Sequence, residues 1–202
     1  MTLTRKILIA TSNKGKVAEF TALLAGTGLQ LCTPKEIGLN IEVEEDGHDY
    51  RANAGKKARQ YSNASGLVCI ADDSGLEVDA LDGAPGLYSA RFSPKPGADD
   101  ADRRQYLLQQ LAGKPQPWAA KFHATVAVAE PDGELHFTEG NCFGQIIAEE
   151  RGQNGFGYDP LFFIPEMNRT MSELTMDEKN RISHRALAVQ AAIPALLSLA
   201  AR

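Results

Sequence analysis

Apolar and polar positions along this chain switch repeatedly between a strand-like and a helix-like period. Ile7-Leu8-Ile9-Ala10 is a short apolar run that breaks into polar Thr11-Ser12-Asn13-Lys14-Gly15-Lys16, after which Val17, Phe20, Leu23 and Leu24 recur at helical spacing. That pattern predicts strand, loop and helix. Leu29 to Cys32 predicts a second strand, and Tyr50 to Tyr61, with Ala52, Ala54 and Ala58, a second helix. Leu67 to Ala71 predicts a buried strand running directly into Asp72-Asp73-Ser74-Gly75, and Asp99 to Leu111 a helix with Tyr106, Leu107 and Leu111 on one side. Phe122 to Ala129 is almost continuously apolar, Pro131-Asp132-Gly133 is a turn, and Glu134 to Ala148 is strand-like again, which is the signature of a β-hairpin. Leu161 to Ile164 predicts a last strand, and Met176 to Ala201 a helix that Pro194 kinks or splits. Alternating strands and helices with a central hairpin predict an α/β protein built on a mixed sheet.

Composition narrows the possible functions. The 202 residues carry 21 Lys+Arg against 26 Asp+Glu, a formal charge of −5. A protein that coats nucleic acid through its phosphates needs a basic face, so nucleic acid is not an expected partner. A small polyanion needs only a local cluster of cations or a bridging metal. Cys32, Cys69 and Cys142 are widely spaced with no CxxC pair, which suits a reduced cytoplasmic protein without a disulfide framework. The apolar run at Ile7 is far shorter than a signal-peptide core, and no segment reaches the ~18 consecutive apolar residues of a membrane span. No phosphate loop of the GxxxxGK[ST] type, HExxH or GxSxG occurs, and Gly152, Gly155 and Gly157 run in the reverse order of the dinucleotide fingerprint.

Several clusters remain. Thr11 to Lys16 lies where a strand gives way to a helix, a junction whose N–H groups and dipole suit an anion, with Lys14 and Lys16 adding charge. A solvated turn with Ser12 or Asn13 as N-cap explains the same residues equally well. Asp72 and Asp73 are adjacent carboxylates at a strand end, costly unless a cation or proton compensates. Mg²⁺ would do so with one or two carboxylates, leaving its other positions to water and phosphate. An Asx-turn ending at Gly75 needs only one of the two. The acidic run Glu42 to Asp46 is a second carboxylate source or a solvated loop. Phe156 between Gly155 and Gly157 presents a ring that could stack on a base, with Tyr158 and Asp159 beside it, or that could anchor a loop. Lys179 to Arg185 is a basic stretch, and Pro85 to Arg91 a tight turn with Ser89 and Arg91.

Taken in order, these motifs carry a resemblance. TSNKGK at Thr11, DDSGLEVDAL from Asp72 to Leu81, PGLYSAR, GFGYDPLF and EKNRISHR ending at Arg185 are similar to the inosine triphosphate pyrophosphatase family, the dITP/XTP pyrophosphatases that remove non-canonical purine nucleotides. The resemblance covers nearly the whole chain and implies one domain over residues 1–202. It implies an elongated mixed sheet with flanking helices, two lobes around a nucleotide-binding cleft, and a homodimer. It also implies hydrolysis of dITP, ITP or XTP to the monophosphate and pyrophosphate with Mg²⁺. Residue by residue, it places substrate contacts at Thr11, Ser12, Asn13, Lys14, Gly15, Lys16 and Ser74. Asp73 becomes the catalytic base and metal ligand, with Glu44 as second metal carboxylate. The base pocket falls on Phe156, Gly157, Tyr158 and Asp159, closed by Lys179, His184 and Arg185. Arg185, or backbone near His184, would donate to the 6-keto oxygen, and Lys14, Lys16 and Lys57 would meet the pyrophosphate. The chain departs from the family at Arg51-Ala52, where bacterial members carry a glutamate before Asn53-Ala54; its role falls to Glu44, Glu45 or Asp46, or is absent. Two other readings stand beside this one: a pyrophosphatase for modified pyrimidine nucleotides, and a nucleotide-binding sensor that does not hydrolyse.

Overall fold

The first apolar run folds as β1 (Lys6–Ile9), and the polar break leads into α1 (Lys14–Leu23). β2 (Gln30–Cys32) follows, then α2 (Tyr50–Ser65), whose chain turns out of the helix at Gly66 in the left-handed conformation, φ +68°. β3 (Val68–Val78), α3 (Asp100–Leu111), β4 (Trp118–Ala129), β5 (Leu135–Ile146), β6 (Phe162–Ile164), β7 (Arg169–Thr170), α4 (Met176–Ile182) and α5 (His184–Ala200) complete the chain. The structure is a computed structural model and describes residues 6–201. The seven strands form one mixed sheet in the order β2-β1-β3-β4-β5-β6-β7. β1 pairs in parallel with β2 and β3, while β6 is antiparallel to β5 and β7. The expected α/β class with flanking helices is the fold observed.

The chain forms two compact units, neither of them a single segment. The first comprises the chain up to Asp73, Ala124–Gly140 and everything from His184 on; the second comprises Ser74–His123 and Asn141–Ser183. In the first unit the strands bury both faces. Ile7, Ile9, Val68 and Ile70 pack with Phe20 and Leu24 of α1 and Ala188, Val189 and Leu196 of α5. Leu8, Cys69 and Ala71 point the other way, onto Ala54 and Ala58 of α2. In the second unit Leu76, Val78, Phe122 and Phe162 pack with Leu107 and Leu111 of α3.

Two expectations need correcting. Asp72-Asp73-Ser74-Gly75 is not a loop: β3 runs through it to Val78. A strand turns successive side chains to opposite faces, so Asp72 continues the Val68-Ile70 face toward α1 and α5, and Asp73 the Cys69-Ala71 face toward α2. The final helix divides at Ser183, an extended residue (φ −69°, ψ 151°), and not at Pro194. Pro194 lies inside α5, which continues to Ala200. A proline in a helix interior costs about 3 kcal/mol, and the buried flank of Ala188, Val189, Ala192, Leu196 and Leu199 offsets it.

Candidate active site

In the first unit, Asn13 caps α1: its Oδ1 accepts from Lys16 N at 3.1 Å, and Thr11 Oγ1 accepts from Asn13 N at 3.2 Å. Ser12, Asn13 and Lys14 are exposed, and Thr11, Gly15 and Lys16 half-buried. The capping reading of this run therefore holds for Asn13, without removing the loop's capacity for an anion. In the first turn of α1, Lys16 Nζ pairs with Asp72 Oδ1 at 3.0 Å. Burial lowers the Lys16 pKa, and the Asp72 carboxylate only partly opposes it.

Asp72 is also held by Arg185 Nε at 2.9 Å, and Arg185 Nη1 donates to Glu19 of α1. Burial works against the Asp72 charge, yet Arg185, Lys16 and Lys57 together hold the carboxyl far below the usual range. For Arg185 the balance runs likewise: burial disfavours its charge, and Asp72 and Glu19 more than restore it. Its guanidinium is engaged by two carboxylates of its own unit, which gives Arg185 a structural task beyond the base contact expected of it. Glu19 was not legible as a functional residue, although its place three residues after Lys16 puts the two on one helix face.

On the opposite strand face Asp73, 6% exposed, accepts from Asn53 Nδ2 at 3.0 Å and lies 3.7 Å from Lys57 Nζ. Lys57 also donates to Glu45 Oε1 at 2.9 Å. Burial raises the Asp73 pKa despite Lys57 and Asn53. Lys57 is raised too, because Asp73, Asp72 and Glu45 overcome its own burial. Asn53 carries no motif of its own; an asparagine inside an alanine-rich helix, where its side chain competes with the backbone, is the sequence signal that marks it.

The acidic loop resolves into distinct partners. Glu45 reaches Lys57, Asp46 reaches Lys56 at 2.5 Å, and Glu44 is exposed. At the position where the resemblance implies a glutamate, Arg51 stacks over the Phe137 ring at 3.9 Å and Ala52 N is capped by Asp49. Among the candidates for that glutamate's place, Glu45 is the one joined to Asp73 through Lys57. Among the described residues no group of three metal-binding side chains gathers.

In the second unit the aromatic loop is tied at nearly every polar group. Asp159 Oδ2 accepts from Phe156 N at 2.9 Å and from Lys179 Nζ at 2.6 Å. Lys179 Nζ stands 5.1 Å from the Phe156 ring centroid. Asn154 Nδ2 donates to Leu174 O at 3.0 Å, and Ser172 Oγ donates to Asn154 O. Gly155 has φ +76°, and a Cβ there would overlap Asp159 Oδ2, so only glycine lets the carboxylate close beneath Phe156. Tyr158 is buried, with its hydroxyl donating to Ser89 O at 2.9 Å, so it anchors the loop to the core. Phe156 and Gly157 are half-buried. Ser74 opens this unit half-buried, and His184 is buried at the start of α5 in the first.

The chain is similar to known proteins over nearly its whole length. A profile of the Ham1 family matches residues 7–195. A dITP/XTP pyrophosphatase of Desulforamulus reducens is 48% identical over 95% of this chain and 95% of its own, and one of Bacillus subtilis is 42% identical over 94% and 96%. The solved structure of a HAM1 protein from Coxiella burnetii superposes with a TM-score of 0.85 at 38% identity, covering 96% of this chain and 99% of that one. A nucleoside-triphosphatase / dITP/XTP pyrophosphatase of Mycobacterium abscessus gives a TM-score of 0.72 at 42% identity over 95% and 99%. With the match running through β1, both aspartates of β3, the aromatic loop and α5, the chain belongs to the Ham1 family.

Proposed function

We propose that this chain hydrolyses non-canonical purine nucleoside triphosphates (dITP, ITP and XTP) to the monophosphate and pyrophosphate. The observation that carries the reading is Asp73: a buried carboxylate of raised pKa, oriented by Asn53 and flanked by Lys57. A carboxylate of raised proton affinity is a better general base than an exposed one. Asp73 takes a proton from the water that attacks the α-phosphorus, and Asn53 fixes the plane in which its oxygens lie. Lys14, Lys16 and Lys57 meet the charge that develops on the departing pyrophosphate. Asp72, held by Arg185 and Lys16, keeps Lys16 in place. Phe156 stacks on the base, and donors from Arg185 or from the backbone near His184 recognise the 6-keto oxygen.

The donor set suits Mg²⁺. Asp73 with Glu44 or Glu45 would hold it through hard oxygen ligands without a closed protein cage, which would leave room for water and substrate phosphates. When bound it neutralises phosphate charge and acidifies water. The resemblance further supports a cytoplasmic homodimer.

Pyrophosphate release from ITP, XTP, dITP, ATP, GTP and a modified pyrimidine triphosphate, with and without Mg²⁺, tests the reading. A site built around a hydrogen bond to the 6-keto oxygen should favour ITP over ATP by about 10⁴ in kcat/KM, because the wrong base leaves buried groups unpaired. Chelation should abolish turnover. Comparable values for ATP and ITP contradict the base assignment, a preference for the pyrimidine supports the alternative enzyme, and binding without release supports a sensor.

A further inference from the structure

Helix α3 lies outside every motif that carried the resemblance, yet two of its side chains grip the residue that follows Phe156. Gly157 N donates to Asp100 Oδ2 at 2.7 Å, and Gly157 O accepts from Arg104 Nη1 at 2.9 Å. Residues four apart share one helix face, so a single turn of α3 holds both polar groups of one residue. Each partner is itself fixed. Asp99 caps α3 through a reciprocal pair with Asp102, setting the first turn from which Asp100 projects. Burial opposes the Asp100 charge, but the Gly157 N–H and the Arg103 guanidinium hold its carboxyl below the ordinary range. Arg104 donates through Nε to Glu150 Oε1 at 2.8 Å, leaving the fork of its guanidinium aimed at the loop. Gly157 has φ +62°, with nothing within 4 Å of where a Cβ would sit, so it is backbone rather than side-chain packing that is gripped here.

We propose that Asp100 and Arg104 are positioning residues that fix the Phe156 ring at the height and tilt needed to stack on the nucleobase. The proposal rests on the reading of Phe156 as the stacking residue. Asp159 and Lys179 tie the loop from its own side, at Phe156 N and over the ring; the α3 pair ties it from a separate element. Without that pair Gly157 loses both anchors, and the ring's orientation is left to the Asp159 hydrogen bond, the Lys179 contact and the more distant Tyr158 anchor. A stacking platform acts on binding more than on chemistry, so its loss should appear in KM.

The test measures kcat and KM for ITP in Arg104→Gln, Asp100→Asn, Phe156→Ala and the double variant Arg104→Gln/Phe156→Ala, alongside melting temperature. Arg104→Gln and Asp100→Asn should each raise KM about tenfold, with a far smaller change in kcat, since a charge-assisted hydrogen bond to the loop is lost in each. Arg104→Lys should fall between, because an ammonium keeps the charge but lacks the fork by which Nε and Nη1 reach Glu150 and Gly157 O separately. The double variant should be no worse than Phe156→Ala, because the clamp acts only through the ring. Lys95→Gln breaks another ion pair of α3, with Asp102, and should leave KM unchanged. If Phe156→Ala raises KM but the α3 variants do not, or if their effects add to that of Phe156→Ala, the clamp is overturned while the stacking reading stands. If Phe156→Ala leaves KM unchanged, the stacking reading fails and takes the clamp with it. Should Asp100→Asn unfold the helix start, the graded Arg104→Gln and Arg104→Lys pair still decides the matter.

Discussion

Asp73→Asn should lower kcat for ITP by about 10³-fold, within the range that removal of a positioned general base produces, while changing KM little. Asparagine keeps the shape of the side chain and can still face Asn53 and Lys57, but it cannot accept the proton of the attacking water. The same substitution should not weaken the fold. Burial raises the Asp73 pKa above its ordinary value of 3.8, so the folded state disfavours its charged form. The stability that Asp73 contributes is therefore greatest in acid, falls as the pH rises through the window above 3.8, and stays lost at neutrality. A neutral amide escapes that loss, and the variant should melt at pH 7 no lower than the parent. Loss of turnover with retained melting separates a catalytic role from a structural one. Full activity in Asp73→Asn would end the assignment, and a large fall in melting temperature would recast Asp73 as a structural residue.

Arg185→Met should have the opposite signature, with a large loss of stability. Arg185 and Glu19 are each 2% exposed, as is Asp72, so removing the guanidinium leaves two carboxylates buried without their shared cation. Breaking such a buried pair costs about 3–5 kcal/mol, roughly 10 °C of melting temperature for a chain of this size. Glu19→Gln alone should cost less, because Arg185 keeps Asp72. Adding Glu19→Gln to Arg185→Met should recover part of the loss by removing one stranded charge. Asp72 supplies a pH signature. Its folded pKa is depressed, so its contribution is present above the ordinary value of 3.8 and is lost as the pH falls below it. In Arg185→Met that acid-side loss should be shallower. Equal melting temperatures for parent and Arg185→Met, measured by calorimetry at pH 7, would show that the network is not what holds Asp72.

The elements easiest to read were those with a clean period. β1, α3 and the β4–β5 hairpin follow directly from apolar spacing and from the Pro131-Asp132-Gly133 turn. β3 reads shorter in the sequence than it is because Asp72-Asp73-Ser74-Gly75 has the composition of a turn, and only the partners on each face, Arg185 and Lys16 on one and Asn53 and Lys57 on the other, let carboxylates sit inside a buried strand. Pro194 drew attention as the helix breaker, whereas the break comes where Ser183 adopts an extended backbone, something a serine does not announce. In the site, the motifs marked Lys16, Asp73, Phe156, Asp159 and Lys179 as residues. They did not reveal that Glu19, Asn53, Asp100 and Arg104 hold those residues in place. Such supports lie within helices, where a carboxylate, amide or guanidinium looks like any other polar residue until its partner, distant in sequence, is known.

The most direct test of the central claim is to follow ITP hydrolysis with Mg²⁺ in ¹⁸O-enriched water and to identify both products. Attack at the α-phosphorus predicts inosine monophosphate carrying one ¹⁸O together with unlabelled pyrophosphate, and ATP turned over far more slowly under the same conditions. Labelled pyrophosphate, inosine diphosphate with inorganic phosphate, or equal turnover of ATP would contradict it.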